Sequence, residues 1–151
     1  MLFRRQNKQQ MKRDVFISHS HQNEKVVLGI CKALEKKGVS CFASCRGDMP
    51  AGHVITDVID EAIHQCQVFL VVFSKEAAQS DWVMNRGIPS WVSELKKPVV
   101  VFRIDDTAYP DWFEFAYLGY AMFIDASSDY RSKLAELVNT VKGIIHLDKQ
   151  L

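Results

Sequence analysis

Five short apolar runs recur along the chain, and each of them leads into polar residues. The runs lie at 14–20 (DVFISHS), 39–43, 68–73, 99–102 and 121–124. A short, continuous apolar run is typical of a parallel strand that is buried on both faces. In open α/β sheets, ligands bind outside the carboxyl ends of such strands. The pattern therefore predicts five strands with a site along the edge where their polar residues gather.

Apolar residues at helical spacing fill the intervals between these strands. The three stripes are Val26, Val27, Ile30 and Leu34; Ile55, Ile59, Ala62, Ile63 and Cys66; and Leu134, Leu137, Val138, Val141 and Ile145. The first helix is predicted to begin near Asn23 and to stop before Gly38, a residue suited to the position just past a helix end. Strands that alternate with helices of this length predict a parallel sheet with right-handed crossovers and helices on both faces.

Length and composition indicate one domain. The chain has 151 residues, of which 48% are apolar, and this is close to the commonest domain size. No apolar run approaches the roughly 18 residues that would span a bilayer, and we expect a soluble, cytoplasmic protein without a membrane partner. The four cysteines show no CxxC spacing, so we expect thiols, with Cys31 and Cys66 buried on helix faces, and no metal site.

The charge is unevenly distributed. Of the 19 basic residues, five precede residue 14 and no acidic residue accompanies them, which leaves 14 basic against 18 acidic residues in the remainder. We expect a disordered basic leader at 1–12, a mildly acidic domain at 13–147 and a short tail at 148–151. No basic or aromatic face continues the leader into the domain, so nucleic-acid binding is not predicted.

Three nucleotide-binding patterns and one hydrolase pattern are absent. The first strand is followed by Ser-His-Ser-His rather than the glycine-rich turn of a dinucleotide fold, and there is no GxxxxGK[ST] phosphate loop. A receiver domain would need an aspartate where the chain has Phe73 and Ser74. The GxSxG elbow of a Ser/His/Asp hydrolase is also missing.

Five segments in order resemble a bacterial TIR (Toll/interleukin-1 receptor) domain over roughly residues 13–147. They are Asp14–Ser20, the loop Arg46–Gly52, the strand that ends at Ser74, Ser80–Val83 and Pro98–Asp106. The resemblance implies a flavodoxin-like, five-stranded parallel sheet with helices on both faces. It also implies self-association with other TIR domains, through a loop at 44–53, and a cleft for NAD. The residues of that loop would include Arg46, Asp48, Met49, Pro50 and Gly52.

Many bacterial members of this family cleave NAD and release nicotinamide, usually in antiphage defence. The cleavage develops positive charge on the ribose, which a carboxylate stabilises. The family's glutamate lies four residues after the tryptophan, and counting from Trp82 that position is Arg86. A cation there opposes the developing charge. Glu94 is the first carboxylate after Asp81 and is the remaining catalytic candidate.

The sequence leaves two functions open. The first is a signalling module of bacterial immunity that assembles with other TIR domains and retains a cleft for NAD or a derived nucleotide. The second is an active NAD glycohydrolase or cyclase. No cofactor is expected beyond NAD as a ligand or substrate. The strand tip at 18–20 would either hold a phosphate or ribose or cap the following helix. The ligand-binding candidates are Ser18, His19, Ser20, Arg46, Asp48, Trp82 and Arg86.

Overall fold

The computed structural model describes residues 13–46, 55–80, 83–84, 96–111 and 121–150. Five strands form one sheet in which every neighbouring pair is parallel, in the order β2-β1-β3-β4-β5. The strands are β1 (Val15–Ser18), β2 (Cys41–Phe42), β3 (Val68–Phe73), β4 (Val99–Arg103) and β5 (Ala121–Asp125). This is the flavodoxin-like order. The predicted five-stranded parallel sheet is confirmed.

The described helices lie between the strands and after the last one. They are α1 (Glu24–Glu35), α2 (Ile55–Gln65), α3 (Lys75–Ala78) and α4 (Tyr130–Gln150). Short 3₁₀ turns at His21–Asn23 and Ser44–Arg46 follow β1 and β2. The first and third predicted apolar stripes lie on α1 and α4, and the second lies on α2 except for Cys66, which directly follows the end of that helix at Gln65. None of the described helices is both long enough and apolar enough to cross a membrane.

Two hydrophobic clusters cover the two faces of the sheet. On one face, Ile17, Leu70 and Phe102 pack with the apolar stripes of α1 and α4. On the other, a row of stacked rings runs across three neighbouring strands, with ring centroids 5.4 Å apart for Phe16 and Phe42 and 5.3 Å apart for Phe16 and Phe69. Residues of α2 and α3 complete this second cluster. Alternate residues of β1 to β4 therefore contribute to opposite clusters, as expected for strands buried on both faces. The edge strand β5 differs from this expectation, because Met122 and Phe123 are exposed.

Asp14, the first residue of the DVFISHS run, forms hydrogen bonds at the amino-terminal end of the sheet. Its Oδ2 accepts a hydrogen bond from the Ser40 backbone N–H at 3.0 Å, and its own N–H donates to Ser40 Oγ at 2.9 Å. Its carbonyl accepts from the N–H groups of Gln67 and Val68. Asp14 thus ties the start of β1 to both neighbouring strands, and this carboxylate is structural.

The four cysteines are free thiols, and the predicted burial of Cys31 and Cys66 is confirmed. Cys31 and Cys66 are buried, as is Cys41, whereas Cys45 is partly exposed. Burial raises the pKa of the Cys66 thiol to about 12. A thiol with such a pKa is protonated at neutral pH and a poor nucleophile. The Cys66 side chain therefore contributes to packing.

Two glycines should respond in opposite directions to alanine. Gly38 follows α1 with φ of 81°, a conformation that a Cβ disfavours by about 1–2 kcal/mol. Gly143 lies inside α4, where an added Cβ meets no atom within 4 Å. We expect Gly143→Ala to raise the free energy of unfolding by about 0.5–1 kcal/mol, because alanine is the better helix former. Gly38→Ala should lower it. Urea unfolding of both variants measures the two changes, and a loss of stability in Gly143→Ala would contradict this account.

Candidate functional site

The strand order reverses between β1 and β3, and a group of buried polar residues lies at the carboxyl ends of these two strands. In open α/β sheets this reversal point is where ligands bind. All of the buried polar residues in the described part of the chain lie here: Ser18, His19, Ser20, Asn23 and Ser74. We call these five residues the β1–β3 polar cluster.

Two members of the cluster join the segments that follow β1 and β3. The Ser74 hydroxyl donates to Oδ1 of Asn23 at 2.7 Å, and the same Ser74 oxygen accepts the backbone N–H of Ala77 at 3.0 Å. Ser74 therefore caps α3, while Asn23 occupies the cap position of α1. With these bonds the Ser74 hydroxyl uses its donor and one acceptor position.

Ser20 caps the turn that leads into α1. Its Oγ accepts the backbone N–H of Gln22 at 3.3 Å, and its carbonyl accepts the N–H of Asn23 at 2.9 Å. Of the two roles that the sequence left open for the strand tip, Ser20 performs the capping role. Its part in ligand binding remains a prediction.

Ser18 and His19 differ from the other members because each carries a buried atom without a partner. Ser18 is 1% exposed and His19 is 7% exposed. Among the described residues, neither Ser18 Oγ nor His19 Nε2 has a hydrogen-bond partner. Two further buried atoms of this kind, in Gln65 and Gln67, lie at the opposite edge of the sheet, before β3 begins. Because an unpaired buried polar atom costs about 1–3 kcal/mol, such groups call for an explanation.

The hydrogen bond at the other ring nitrogen determines the tautomer of His19. Nδ1 lies 2.9 Å from the Ser20 carbonyl oxygen, which can only accept, so Nδ1 carries the proton. Burial lowers the pKa of His19, although the Ser20 carbonyl and the charge of Glu24 act in the other direction. The ring is therefore neutral at physiological pH, and Nε2 presents a bare lone pair.

A bare lone pair selects for a ligand group that donates a hydrogen. A hydroxyl or amide N–H can donate to His19 Nε2, whereas an ionised phosphate oxygen has no hydrogen to offer. The Ser18 hydroxyl can both donate and accept. The arrangement therefore suits a sugar hydroxyl better than a phosphate, which distinguishes between the two ligand groups that the sequence left open.

Carboxylates at the neighbouring strand ends have structural partners. Asp105, after β4, accepts the backbone N–H groups of Lys75 at 2.9 Å and Thr107 at 3.0 Å. Partial burial acts to raise its pKa, but these hydrogen bonds hold the pKa below the usual value. Arg103 donates to both oxygens of Asp125, at 3.3 and 2.6 Å, and thereby lowers the pKa of that carboxyl. No carboxylate in the described part of the chain belongs to the β1–β3 polar cluster.

Most of the other predicted site residues lie outside the described residues. Arg46 ends the 3₁₀ turn after β2. The remaining candidates, which stay predictions, are Asp48, Met49, Pro50, Gly52, Trp82, Arg86 and Glu94. Val83 and Met84, which follow Trp82 in sequence, are buried in the same cluster as Phe73. These two side chains therefore belong to the hydrophobic cluster on that face of the sheet.

The family comparison covers most of the chain. A family model for the TIR domain matches residues 15–138. No curated protein matches the chain significantly. The matched region contains all five strands and the β1–β3 polar cluster.

Solved structures share the fold at low sequence identity. The TIR domain of the Toll-related receptor TRR-2 from Hydra magnipapillata has a TM-score of 0.65 and 18% identity, over 86% of this chain and 98% of that one. The CMP N-glycosidase BcmB from Clostridium botulinum has a TM-score of 0.56 and 16% identity, over 82% and 96%. A TIR-STING receptor from C. gigas in complex with 2′,3′-cGAMP has a TM-score of 0.58 and 17% identity, over 85% and 39%.

The lowered pKa of His19 predicts a pH-dependent stability. As the pH falls below about 6.5, the unfolded chain binds a proton on His19 before the folded protein does. The free energy of unfolding should therefore decrease from that pH toward the lowered folded-state pKa. Urea unfolding at about pH 7.5 and about pH 5.5 measures the decrease. His19→Gln should reduce this decrease, because it removes the buried imidazole. An unchanged pH dependence in His19→Gln would contradict the assignment.

Proposed function

Because the chain belongs to the TIR domain family, we propose that it is a signalling module that binds NAD, or a nucleotide derived from NAD, at the β1–β3 polar cluster. A self-associating assembly of TIR domains would carry the signal. The unpaired Ser18 Oγ and His19 Nε2 carry the nucleotide part of this proposal. The family resemblance supports the choice of NAD and the self-association.

A ribose fits the two unpaired atoms better than the other parts of a dinucleotide do. Its hydroxyls can donate to His19 Nε2 and can donate to or accept from Ser18 Oγ. The phosphates lack a hydrogen to donate, and a neutral imidazole offers them no charge. With the ribose at this strand end, the remainder of the nucleotide would extend over the carboxyl edge of the sheet.

The family and the compared structures define which nucleotides to test. NAD and ADP-ribose follow from the TIR resemblance. The Clostridium protein is named for an N-glycosidase of CMP, another ribonucleotide. Identity of 16% shows a shared fold only, so CMP serves as a comparison ligand.

The proposed assembly would use the loop at 44–53. The described part of this loop, Ser44–Arg46, follows β2, which is an edge strand of the sheet. An edge position leaves the loop accessible to a second molecule. The roles of Asp48, Met49, Pro50 and Gly52 in self-association are part of this proposal.

Catalysis remains the second candidate. Trp82, Arg86 and Glu94 would have to form the catalytic part of the cleft, and Arg86 opposes positive charge on the ribose. Release of nicotinamide from NAD that is lost in Glu94→Gln would assign the enzymatic function to this protein and the catalytic carboxylate to Glu94.

Two buried serines at neighbouring strand ends provide a matched test of the nucleotide site. Ser18→Ala removes an unpaired hydroxyl, so the free protein should lose no stability. Its affinity for ADP-ribose should fall by about two- to tenfold, the effect of one neutral hydrogen bond. Ser74→Ala removes a capping hydroxyl with two partners and should cost about 1–2 kcal/mol of stability. Calorimetric titration and urea unfolding measure the two effects.

The same titrations separate the alternatives. Equal affinity for ADP-ribose in wild type and Ser18→Ala would refute the ribose assignment. Absence of binding to NAD, ADP-ribose and CMP at millimolar concentration would refute the nucleotide site. Chromatography of the NAD samples for free nicotinamide distinguishes binding from turnover.

A further inference from the structure

A groove of about 510 Å³ runs between α1 and α4, on the helical layer that covers one face of the sheet. Its lining is Gly29, Lys32, Ala33, Lys36, Lys37, Arg131, Leu134, Ala135, Val138 and Asn139. We call it the α1–α4 groove. It contains no residue of the β1–β3 polar cluster, so the inference below is independent of the proposed nucleotide site.

The groove is positively charged although the domain as a whole is mildly acidic. Lys32, Lys36, Lys37 and Arg131 line it, and no acidic residue does. All four side chains are exposed. Within the described ranges, none of the four forms an ion pair with a carboxylate. The cations therefore remain available to a negatively charged partner.

The floor of the groove is apolar and recessed. Ala33 and Leu134 are partly buried against the core, and Val138 is buried within it. Gly29, on the wall formed by α1, leaves space where a side chain would stand, because an added Cβ would meet no atom within 4 Å. Glycine inside a helix costs about 1 kcal/mol relative to alanine. No contact among the described residues requires a glycine at position 29. A partner that packs closely against α1 would require one, because a larger side chain would occupy the space.

We propose that the α1–α4 groove binds an acidic amphipathic helix of a partner protein. An apolar groove between two helices accommodates the apolar face of a third helix. The acidic residues beside that face would meet the lysines and the arginine on the groove walls. Lys32 and Lys36 are one helical turn apart, so their charges match a row of carboxylates along the partner.

Other occupants fit these features less well. Two copies joined symmetrically through the groove would bring the same cations face to face, which is repulsive. A lipid surface would need apolar side chains that protrude into it, and here the apolar atoms lie on the groove floor. A nucleotide concentrates its charge on adjacent phosphates, whereas these cations are spread along two helices.

A designed peptide tests the proposal on the 151-residue chain. The probe is a fluorescent amphipathic peptide of roughly 18 residues, about five helical turns, with leucine on one face and glutamate on the others. A peptide of the same composition with scrambled order removes the apolar face. Fluorescence anisotropy should show binding of the probe at least about tenfold tighter than that of the scrambled peptide.

Charge reversal locates the binding surface. The double variant Lys32→Glu/Lys36→Glu should weaken probe binding at least about tenfold, because both charges then repel the probe. The control variant Lys25→Glu/Lys142→Glu makes the same total change of charge at exposed positions outside the groove, one on α1 and one on α4. It should weaken probe binding less than about threefold. Gly29→Gln, which fills the groove without breaking α1, should also weaken binding.

Four results would overturn the proposal. They are absence of probe binding at millimolar concentration, equal binding of the scrambled peptide, equal loss in the two double variants, and unchanged binding in Gly29→Gln. Vesicles with anionic lipids and light scattering of the protein alone serve as parallel measurements. Loss of vesicle binding or of dimerisation in the Lys32/Lys36 variant, without loss of probe binding, would assign the surface to a membrane or to a second copy instead.

Discussion

The hydrogen bond from Ser74 to Asn23 joins the segments after β1 and β3 at the point where the strand order reverses. The helices after these two strands lie on opposite faces of the sheet, which is the position where ligands bind in open α/β folds. The polar atoms of Ser74 and Asn23 link the two segments, and Ser20 caps the turn beside them. The positions of Ser18 and His19 depend on this arrangement, because all five residues are buried together at the ends of β1 and β3.

In this arrangement, Ser18 Oγ and His19 Nε2 have no hydrogen-bond partner among the described residues. Unpaired buried atoms reduce stability, and ligand-binding sites are places where such a cost is tolerated because the ligand supplies the missing partners. The neutral tautomer of His19 makes the site selective for a hydrogen donor. A ribose hydroxyl meets that requirement, and this chemical match supports the proposal that the site binds a nucleotide.

The five strands and the helices α1, α2 and α4 followed from the sequence, because each apolar run or stripe has a single period. The four-residue helix α3 is too short to show such a period and was not predicted. The strand tip at 18–20 was located correctly for the same reason. The contact between Asn23 and Ser74 was not predicted, since the two residues are 51 positions apart and only the sheet order brings them together. The tautomer of His19 was not predictable either, because it is determined by a hydrogen bond to one carbonyl group. The α1–α4 groove was not predicted because it forms only when the two helices pack together. In the sequence, the lysines of the groove have the spacing of an ordinary solvent-exposed helix face.

Nitrogen NMR of His19 tests the central claim most directly, because it observes the two ring nitrogens separately. The account predicts that Nδ1 carries the proton in the free protein and that Nε2 is unprotonated. Saturation with ADP-ribose should shift the Nε2 resonance in the direction of an accepted hydrogen bond and leave Nδ1 protonated. A proton on Nε2 in the free protein, or an unchanged Nε2 resonance while ADP-ribose is bound, would contradict the account.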